Sequence, residues 1–405
     1  MKKIVSLIIT GTLLLQLSFA QGSAGTLDVV SWNLEWFGSA SNGPSDKNLQ
    51  ETNAGKILKW LDADLYGLVE IVDTMRLRRV VDFLGANEYG FYISPFCSLA
   101  TSPSSGNWLP GQKLAFIYRK SIFSNVTARG LLTSSSNAYS NWASGRFPFM
   151  LSATVTINST SKDVNFIVIH GKAGATLSDY TRRLAGAQEL KDSFDLRYNT
   201  SNTILIGDYN DALNTSIYTS ASVSSYNPII MDSTDADRYN SITLPLGVAG
   251  QSSMISFPNV IDNHIISNEM EPYYVPGSAQ IKTDVVTIVP DYITAHNTSD
   301  HYPVFSKYNL SAGTTAIQEV LRQQLLFKPC TNPFKESVTI TAQKSLQDVW
   351  MKLMDVNGRI ISTYQHKNIF AGTPVQLSVP QLNPGIYFLI IESKQTRNTI
   401  KLIHL

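Results

Sequence analysis

The chain of 405 residues holds only two cysteines, Cys97 and Cys330. That excludes a disulfide-built scaffold and leaves two unrelated thiols as the expectation. Charge is also sparse: 16% of residues are charged and the formal net charge is +1. Neither a disordered polyelectrolyte nor a polybasic nucleic-acid arm fits that balance. Histidines number six, so any that cluster carry weight. Long apolar runs are lacking too. The best one, Ile4 to Leu17, is diluted by Thr10, Gly11, Thr12 and Gln16, and it is short of the roughly 20 residues that span a bilayer.

What is present begins with targeting. Lys2 and Lys3 precede the apolar run and Ser18-Phe19-Ala20 follows it, so residues 1–20 read as a signal peptide. The expectation is a secreted or cell-surface protein without stable membrane insertion. Hydrophobic residues, at 43%, suffice for a core, and the length favours two domains. Charge divides the same way: residues 21–312 carry a net −6 and residues 313–405 a net +5. An acidic domain acting on an anionic substrate needs a cation between them.

From Leu27 to about Asn309, strand-like runs outnumber helical ones. The strand candidates are Leu27–Asn33, Leu65–Ile71, Leu114–Arg119, Val164–His170, Thr203–Asp208, Val260–Ser267 and Tyr302–Tyr308. Helical spacing marks Lys47–Leu61, Thr74–Gly85 and Ser178–Asp195. This predicts a mixed α/β class, two sheets covered by a few helices. Ser98–Gly111 and Asn214–Ser253 read as long surface loops. After a linker at Ser311–Thr315, short strands at Ser337–Ala342, Val349–Asp355, Gln376–Val379 and Ile386–Glu392 suggest a small all-β sandwich.

The strand runs of the first domain end in a recurring set of polar residues: Asn33, Glu70, His170, Asp208 with Asn210, Asp262, and Ser299-Asp300-His301. One carboxylate at a strand end is usually a cap or a turn residue. A converging set of carboxylates, an Asn and two imidazoles can instead hold a hard cation, activate water and neutralise a phosphate.

The ordered series Trp32-Asn33, Glu70, His170, Gly207-Asp208-x-Asn210, Asp262 and Ser299-Asp300-His301 resembles the endonuclease/exonuclease/phosphatase superfamily, which includes deoxyribonuclease I. The resemblance implies a four-layer α/β sandwich of two packed mixed β-sheets over residues 24–310, with the site at one end. It implies Glu70 as principal Mg²⁺ ligand, Mn²⁺ or Ca²⁺ being alternatives, with Asn33 and Asp300 beside it. Asp208 would take a proton from the attacking water or orient it, helped by Asn210. His301, oriented by Asp262, would meet the scissile phosphate, with His170 opposite. Arg146 would contact phosphate, and Lys172, Arg182 and Arg183 have a claim to phosphate of their own because they follow His170 closely in the sequence. The family's glutamate partner for that second histidine is expected near Phe91–Pro95, where this chain has no acid. Tyr92 is therefore assigned to substrate contact.

Residues 325–405, with Asn332-Pro333, Asn357-Gly358 and Asn383-Pro384-Gly385, are similar to the C-terminal sorting domain of type IX secretion, following a linker at 311–324. That implies an immunoglobulin-like β-sandwich and the secretion machinery as a partner. The functional expectation is a secreted, metal-dependent phosphodiesterase acting on DNA or RNA, with a monomer favoured. A sphingomyelinase-like phospholipase or a phosphomonoesterase is the alternative on the same fold. A binding protein on a decayed nuclease fold is a third reading.

Weaker features carry bland expectations. Arg76, Arg78 and Arg79 suit a solvated helix face, and Trp36, Trp108 and Trp142 could stack bases or pack loops. The acidic stretch Asp232–Asp237 lacks the Gly and Glu of a calcium loop. Glu35 reads as structural, and His264 is open.

Overall fold

Residues 25–231, 237–312, 327–329, 334–342, 345–355, 359–393 and 396–404 are described in this computed structural model. The signal-peptide stretch, most of the linker, Cys330 and the acidic residues 232–236 lie outside them. The chain divides into two compact units, up to Ala312 and from Gly313.

Alternation along β1 (Leu27–Phe37) sets the layering of the first unit. Val30, Trp32 and Leu34 pack with α1 (Lys47–Leu61), while Leu27 and Val29 face a second sheet. Asp46 caps α1 through the Asn48 and Leu49 N–H groups. β2 (Leu65–Ile71) follows, then α2 (Thr74–Gly85), capped by Asp73. β3 (Tyr89–Cys97), β4 (Lys113–Arg119) and β5 (Phe123–Gly130) come next. α3 (Ser136–Asn141), β6 (Phe149–Ile157) and β7 (Thr160–His170) lead to the long α4 (Leu177–Arg197). β8 (Asn202–Asp208), α5 (Asn227–Ile230), β9 (Tyr239–Ser241) and α6 (Leu244–Val248) precede β10 (Asp262–Ser267). β11 (Gln280–Ile281), α7 (Tyr292–Ala295) and β12 (Val304–Tyr308) complete the unit.

The first sheet has the order β11-β12-β1-β2-β4-β3 and the second β5-β6-β7-β8-β10-β9. Their facing sides share one core in which Val29, Leu65, Phe116, Phe149, Val168 and Ile206 are buried. The sheets approach so closely at Gly67 that a Cβ there would lie 2.5 Å from Ile206 Cδ1. α1 and α2 cover the outer face of the first sheet, α3 and α4 that of the second. This is the four-layer α/β sandwich.

Three expected elements, 47–61, 65–71 and 74–85, match the observed ends. Other strands are missing from the reading. β5 exposes Ser124, Asn125 and Thr127, so its sequence looks like a loop although it pairs with β6. The stretch from Asn214 to Ser253, read as one loop, contains α5, β9 and α6.

The second unit is all-β: β13 (Phe327–Pro329), β14 (Ser337–Ala342), β15 (Leu346–Asp355), β16 (Ile360–Ile369), β17 (Pro374–Ser378), β18 (Gly385–Ser393) and β19 (Thr396–His404). They form sheets of order β13-β14-β17 and β16-β15-β18-β19 around a core with Val338, Ile340, Val349, Met351, Leu389 and Leu402. Among the described residues no helix is long and apolar enough to cross a membrane.

Candidate active site

Strand direction gathers the polar residues. β1 and β2 run parallel, so Asn33 and Glu70 leave the first sheet at one edge. β12 runs antiparallel to β1, so Ser299-Asp300-His301 enters at that same edge. In the second sheet, β7 and β8 are parallel and finish with His170 opposite Asp208. β10 runs antiparallel to β8 and begins with Asp262, also opposite Asp208.

Irregular backbone then aims these side chains. The β1–β2 pairing shifts register between Asn33 and Phe37, where Glu35 and Trp36 have φ of 45° and 50°. Glu70 has φ 63° at a second irregularity. Such conformations are costly and concentrate at functional sites. Gly207 has φ +128°, and a Cβ there would lie 2.1 Å from the Ile169 carbonyl, so only glycine fits before Asp208.

Asn33 is the hub. Its Nδ2 donates to Glu70 Oε1 at 3.2 Å and Asp208 Oδ2 at 3.0 Å, and lies 3.4 Å from His301 Nε2. Its Oδ1 accepts the Glu35 N–H at 2.9 Å. That bond orients the amide so that Nδ2 lies between the carboxylates. Glu70 Oε2 accepts the Trp36 N–H at 2.8 Å, and burial raises the Glu70 pKa.

His170 Nε2 stands 3.6 Å from Glu70 Oε1 and 3.5 Å from Asp208 Oδ2, while its Nδ1 has no partner. Carboxylates therefore face one edge of the ring and none faces the other. Burial, then the positive charges of Arg146 and His301, holds His170 well below its ordinary pKa, so it is neutral. His301 is the opposite case. Its Nδ1 is 2.7 Å from Asp262 Oδ2, which also accepts the Ser253 hydroxyl at 2.8 Å. Burial works against its charge, but Asp262, Asp208 and Asp300 outweigh it and raise the pKa to about 10. Trp32 Nε1 at 2.9 Å and the Tyr292 hydroxyl both donate to the His301 carbonyl. Asp208 Oδ1 accepts the Asn210 N–H at 2.7 Å and Oδ2 the Asn210 amide at 3.2 Å. Burial, followed by the charge of Asp262, pushes the Asp208 pKa upward.

A divalent cation suits what is left over. Asp262 Oδ1, Asp300 Oδ1 and Glu35 Oε2 are buried without a hydrogen-bond partner. Burial and the neighbouring Asp300 raise Glu35 to about 7. Carboxylates crowded this way outnumber the positive groups beside them, His301 and Arg146, and an oxygen-rich donor set fits a hard cation. The tightest grouping of candidate ligands among the described residues is Asp208, Asp262 and His301, within 4.8 Å of one another. Asp262 Oδ2 and His301 Nδ1 are spent on each other, which leaves the unpartnered oxygens of Glu35 and Asp300 as candidate ligands, with Glu70, whose two oxygens accept from Asn33 and Trp36, beside them.

Four expected contacts are not in the cleft as expected. Tyr92 stacks on Tyr118 with centroids 6.0 Å apart and donates to the Val126 carbonyl at 3.4 Å, because its side of β3 faces the sheet interior. Arg182 lies on the outer helix layer and donates to the Ser140 carbonyl. Lys172 Nζ pairs with Asp179 at 2.8 Å. Arg146 is buried beneath the site: Nε donates to the His170 carbonyl at 3.0 Å, Nη2 to that of Gly171 at 2.7 Å and Nη1 to Gln112 at 2.8 Å. It supplies charge and position rather than a free fork.

Gln112 and Ser253 enter the site without having been singled out, and Glu35, which the sequence reads as structural, lies beside Asp300 in it. The other readings resolve plainly. Arg76 and Arg79 pair with Glu51 at 2.6 and 2.7 Å. Trp142 is buried, and Trp108 donates to the Ser94 carbonyl at 3.4 Å. His264 bridges the sheets, with Nδ1 2.8 Å from Ser306 Oγ and Nε2 3.0 Å from Ser31 Oγ. Cys97 is a buried free thiol.

No curated protein matches the sequence. Solved structures similar to the chain include one described as an endonuclease/exonuclease/phosphatase from Beutenbergia cavernae, at 12% identity and TM-score 0.48, covering 93% of this chain and 100% of that one. The human Nocturnin catalytic domain with bound sulfate is similar at 15% identity and TM-score 0.47, covering 71% and 95%. A mannosyl-6-phosphatase of Bacteroides thetaiotaomicron is similar at 13% identity and TM-score 0.43, covering 70% and 99%. Residues 331–404 match the family model of the secretion system C-terminal sorting domain.

Proposed function

We propose that the N-terminal unit hydrolyses phosphodiesters with a divalent cation, magnesium first, and that its substrates are nucleic acids. The observation that carries this reading is the meeting of Glu70, Asp208 and His301 within 3.4 Å of one side-chain nitrogen, Asn33 Nδ2. Residues spread over most of the unit meet there with opposite charge states imposed by their surroundings. His301 is held cationic by Asp262, and His170 is held neutral.

In this mechanism water attacks phosphorus in line with the leaving oxygen. Asp208 accepts the water's proton, oriented by the Asn210 backbone and side chain and by Asn33. The imidazolium of His301 meets the charge that grows on a non-bridging oxygen. Neutral His170 donates from Nε2 or accepts there, fixing the phosphate from the other wall. Arg146 locks the His170 backbone and adds positive potential from below. Glu70, Asp300 and Glu35 would hold the cation, which when bound supplies further charge against the phosphate.

The match of residues 331–404 to a sorting family supports export through a type IX machinery, with residues 1–20 as the first signal. The domain limits 24–310 and 325–405 belong to the same reading.

Incubating the full chain with plasmid and with RNA in Mg²⁺, with EDTA controls, tests the proposal. The expected result is metal-dependent cleavage of at least one polymer. Intact polymers with turnover of sphingomyelin or a phosphomonoester would move the site to the alternative substrates, and inertness on all of them would end the hydrolase reading.

A further inference from the structure

Six tryptophans occur in the chain, and five of them lie before the linker. Four of these five are committed to the protein's own packing or hydrogen bonds. Trp32 is buried and donates to the His301 carbonyl, and Trp142 is buried. Trp60 packs on the core of the first sheet, with Lys282 Nζ 5.0 Å from its ring centroid. Trp108 is bonded to the Ser94 carbonyl, with Lys113 Nζ 4.6 Å from its ring. Trp36 differs. It is half-buried, belongs to none of the apolar clusters of the unit, and its indole has no hydrogen-bond, ring or cation partner among the described residues. Bulky residues seldom adopt its φ of 50°. The backbone is held there by Glu70 Oε2, which accepts the Trp36 N–H at 2.8 Å, and by the Ser39 N–H, which donates to the Trp36 carbonyl at 2.8 Å. An uncommitted indole is thus rooted one hydrogen bond away from a carboxylate of the cleft.

The lysines and arginines that border the cleft are, by contrast, engaged within the protein. Lys47 donates to the Asn42 and Pro44 carbonyls, and Arg76 pairs with Glu51. Lys113 donates to the carbonyls of Val72, Leu109 and Gly111, and Lys172 pairs with Asp179. Arg146 and Arg183 are buried on backbone carbonyls. Loop 98–112 leads into β4, the neighbour of the strand that carries Glu70, and loop 249–261 leads into Asp262. Neither contains a charged residue. A phosphate next to the scissile one therefore meets no uncommitted ammonium or guanidinium on these segments, and affinity for a nucleic acid has to come from its uncharged parts. Every base presents a π-face, and an indole is a strong partner for it.

We propose that Trp36 stacks the base adjoining the scissile phosphate, and that this stack, rather than contact with further phosphates, sets the substrate preference. The inference rests on the phosphodiesterase reading and narrows it to diesters with a nucleobase on the Glu70 side of the scissile bond. A single stacked base rewards a short fragment as much as a long strand, so fragments are served as well as polymer.

The full-chain parent, Trp36→Ala and Trp36→Phe are compared in Mg²⁺ on a dinucleoside monophosphate and on the same diester with both bases removed. Parent kcat/KM should favour the dinucleotide, and Trp36→Ala should cut that preference about tenfold or more, through KM, with Trp36→Phe recovering most of it. A purely structural role, exerted through the N–H bond to Glu70, would lower kcat on both diesters and leave the preference where it was. That result, or no change on either diester, overturns the proposal. A second arm needs no turnover. In EDTA, calorimetric titrations with a nucleoside monophosphate and with ribose phosphate should show the nucleotide bound about tenfold tighter by the parent and no tighter by Trp36→Ala. Equal affinities in the parent reject the stack even if nucleic acid is cleaved. A base preference that Trp36→Ala abolishes, in a protein inert on every phosphodiester, keeps the stack and rejects the hydrolase reading instead.

Discussion

At the scale of single residues, surroundings rather than identity decide what the imidazoles do. His301, His170 and His264 are all buried, yet one is held charged and two neutral, according to whether a carboxylate reaches the ring in a committed bond. Replacing His301 or Asp208 by Ala should lower phosphodiester kcat at least about a hundredfold, with a thermal midpoint close to that of the parent. Equal turnover would refute their roles. His264 gives a different expectation, because burial lowers it from 6.5 to about 3. The unfolded chain binds this proton more readily than the folded one. Its stability contribution is complete above about pH 6.5 and is lost as pH falls toward about 3, amounting to about 5 kcal/mol at most. Acid denaturation midpoints of His264→Gln against the parent check this: the variant should show a shallower loss of stability between pH 6.5 and 4.

At the scale of elements, the cleft is a product of strand direction. Parallel pairs deliver Asn33 with Glu70 and His170 with Asp208, and antiparallel returns deliver Asp262 and His301 to the same edge. Gly207 is the joint that permits this. Gly207→Ala should destabilise the unit by roughly 2–4 kcal/mol, because the new methyl would displace the Ile169 carbonyl in a backbone conformation hostile to L-residues. Chemical denaturation should show a lower midpoint at unchanged slope. Much of this was legible in the sequence, since the polar residues sit where apolar runs stop, and the caps Asp46 and Asp73 mark where helices begin. Side-chain partners were not legible. Tyr92 and Arg182 have suitable types near suitable motifs, but the pleat of β3 and the outer position of α4 turn them elsewhere. The pairing of Arg183 with Asp211 joins positions whose proximity exists only after β7 and β8 lie side by side. Strand β5, half polar and at a sheet edge, has no periodic signal to read.

At the scale of the molecule, the first unit brings Glu35, Glu70, Asp208, Asp262 and Asp300 together with His301. Binding of Mg²⁺ there should raise the thermal midpoint, by the equivalent of about 2.7 kcal/mol at a hundredfold excess over Kd. Calorimetry of the full chain with Mg²⁺ and with EDTA measures it. Only the transition of the unit ending at Ala312 should respond, because the β-sandwich unit contributes none of the clustered carboxylates.

The hairpin between β6 and β7 turns through Asn158 and Ser159, with φ of 49° and 63°. β7 runs for 11 residues from there to His170, so the turn is roughly 33 Å from the chemistry. A peptide tag spliced between those two residues should leave catalysis within about twofold, as activity assays of the fusion would register. The far rim thus offers a handle for immobilising the protein on a support with its working mouth facing the solution.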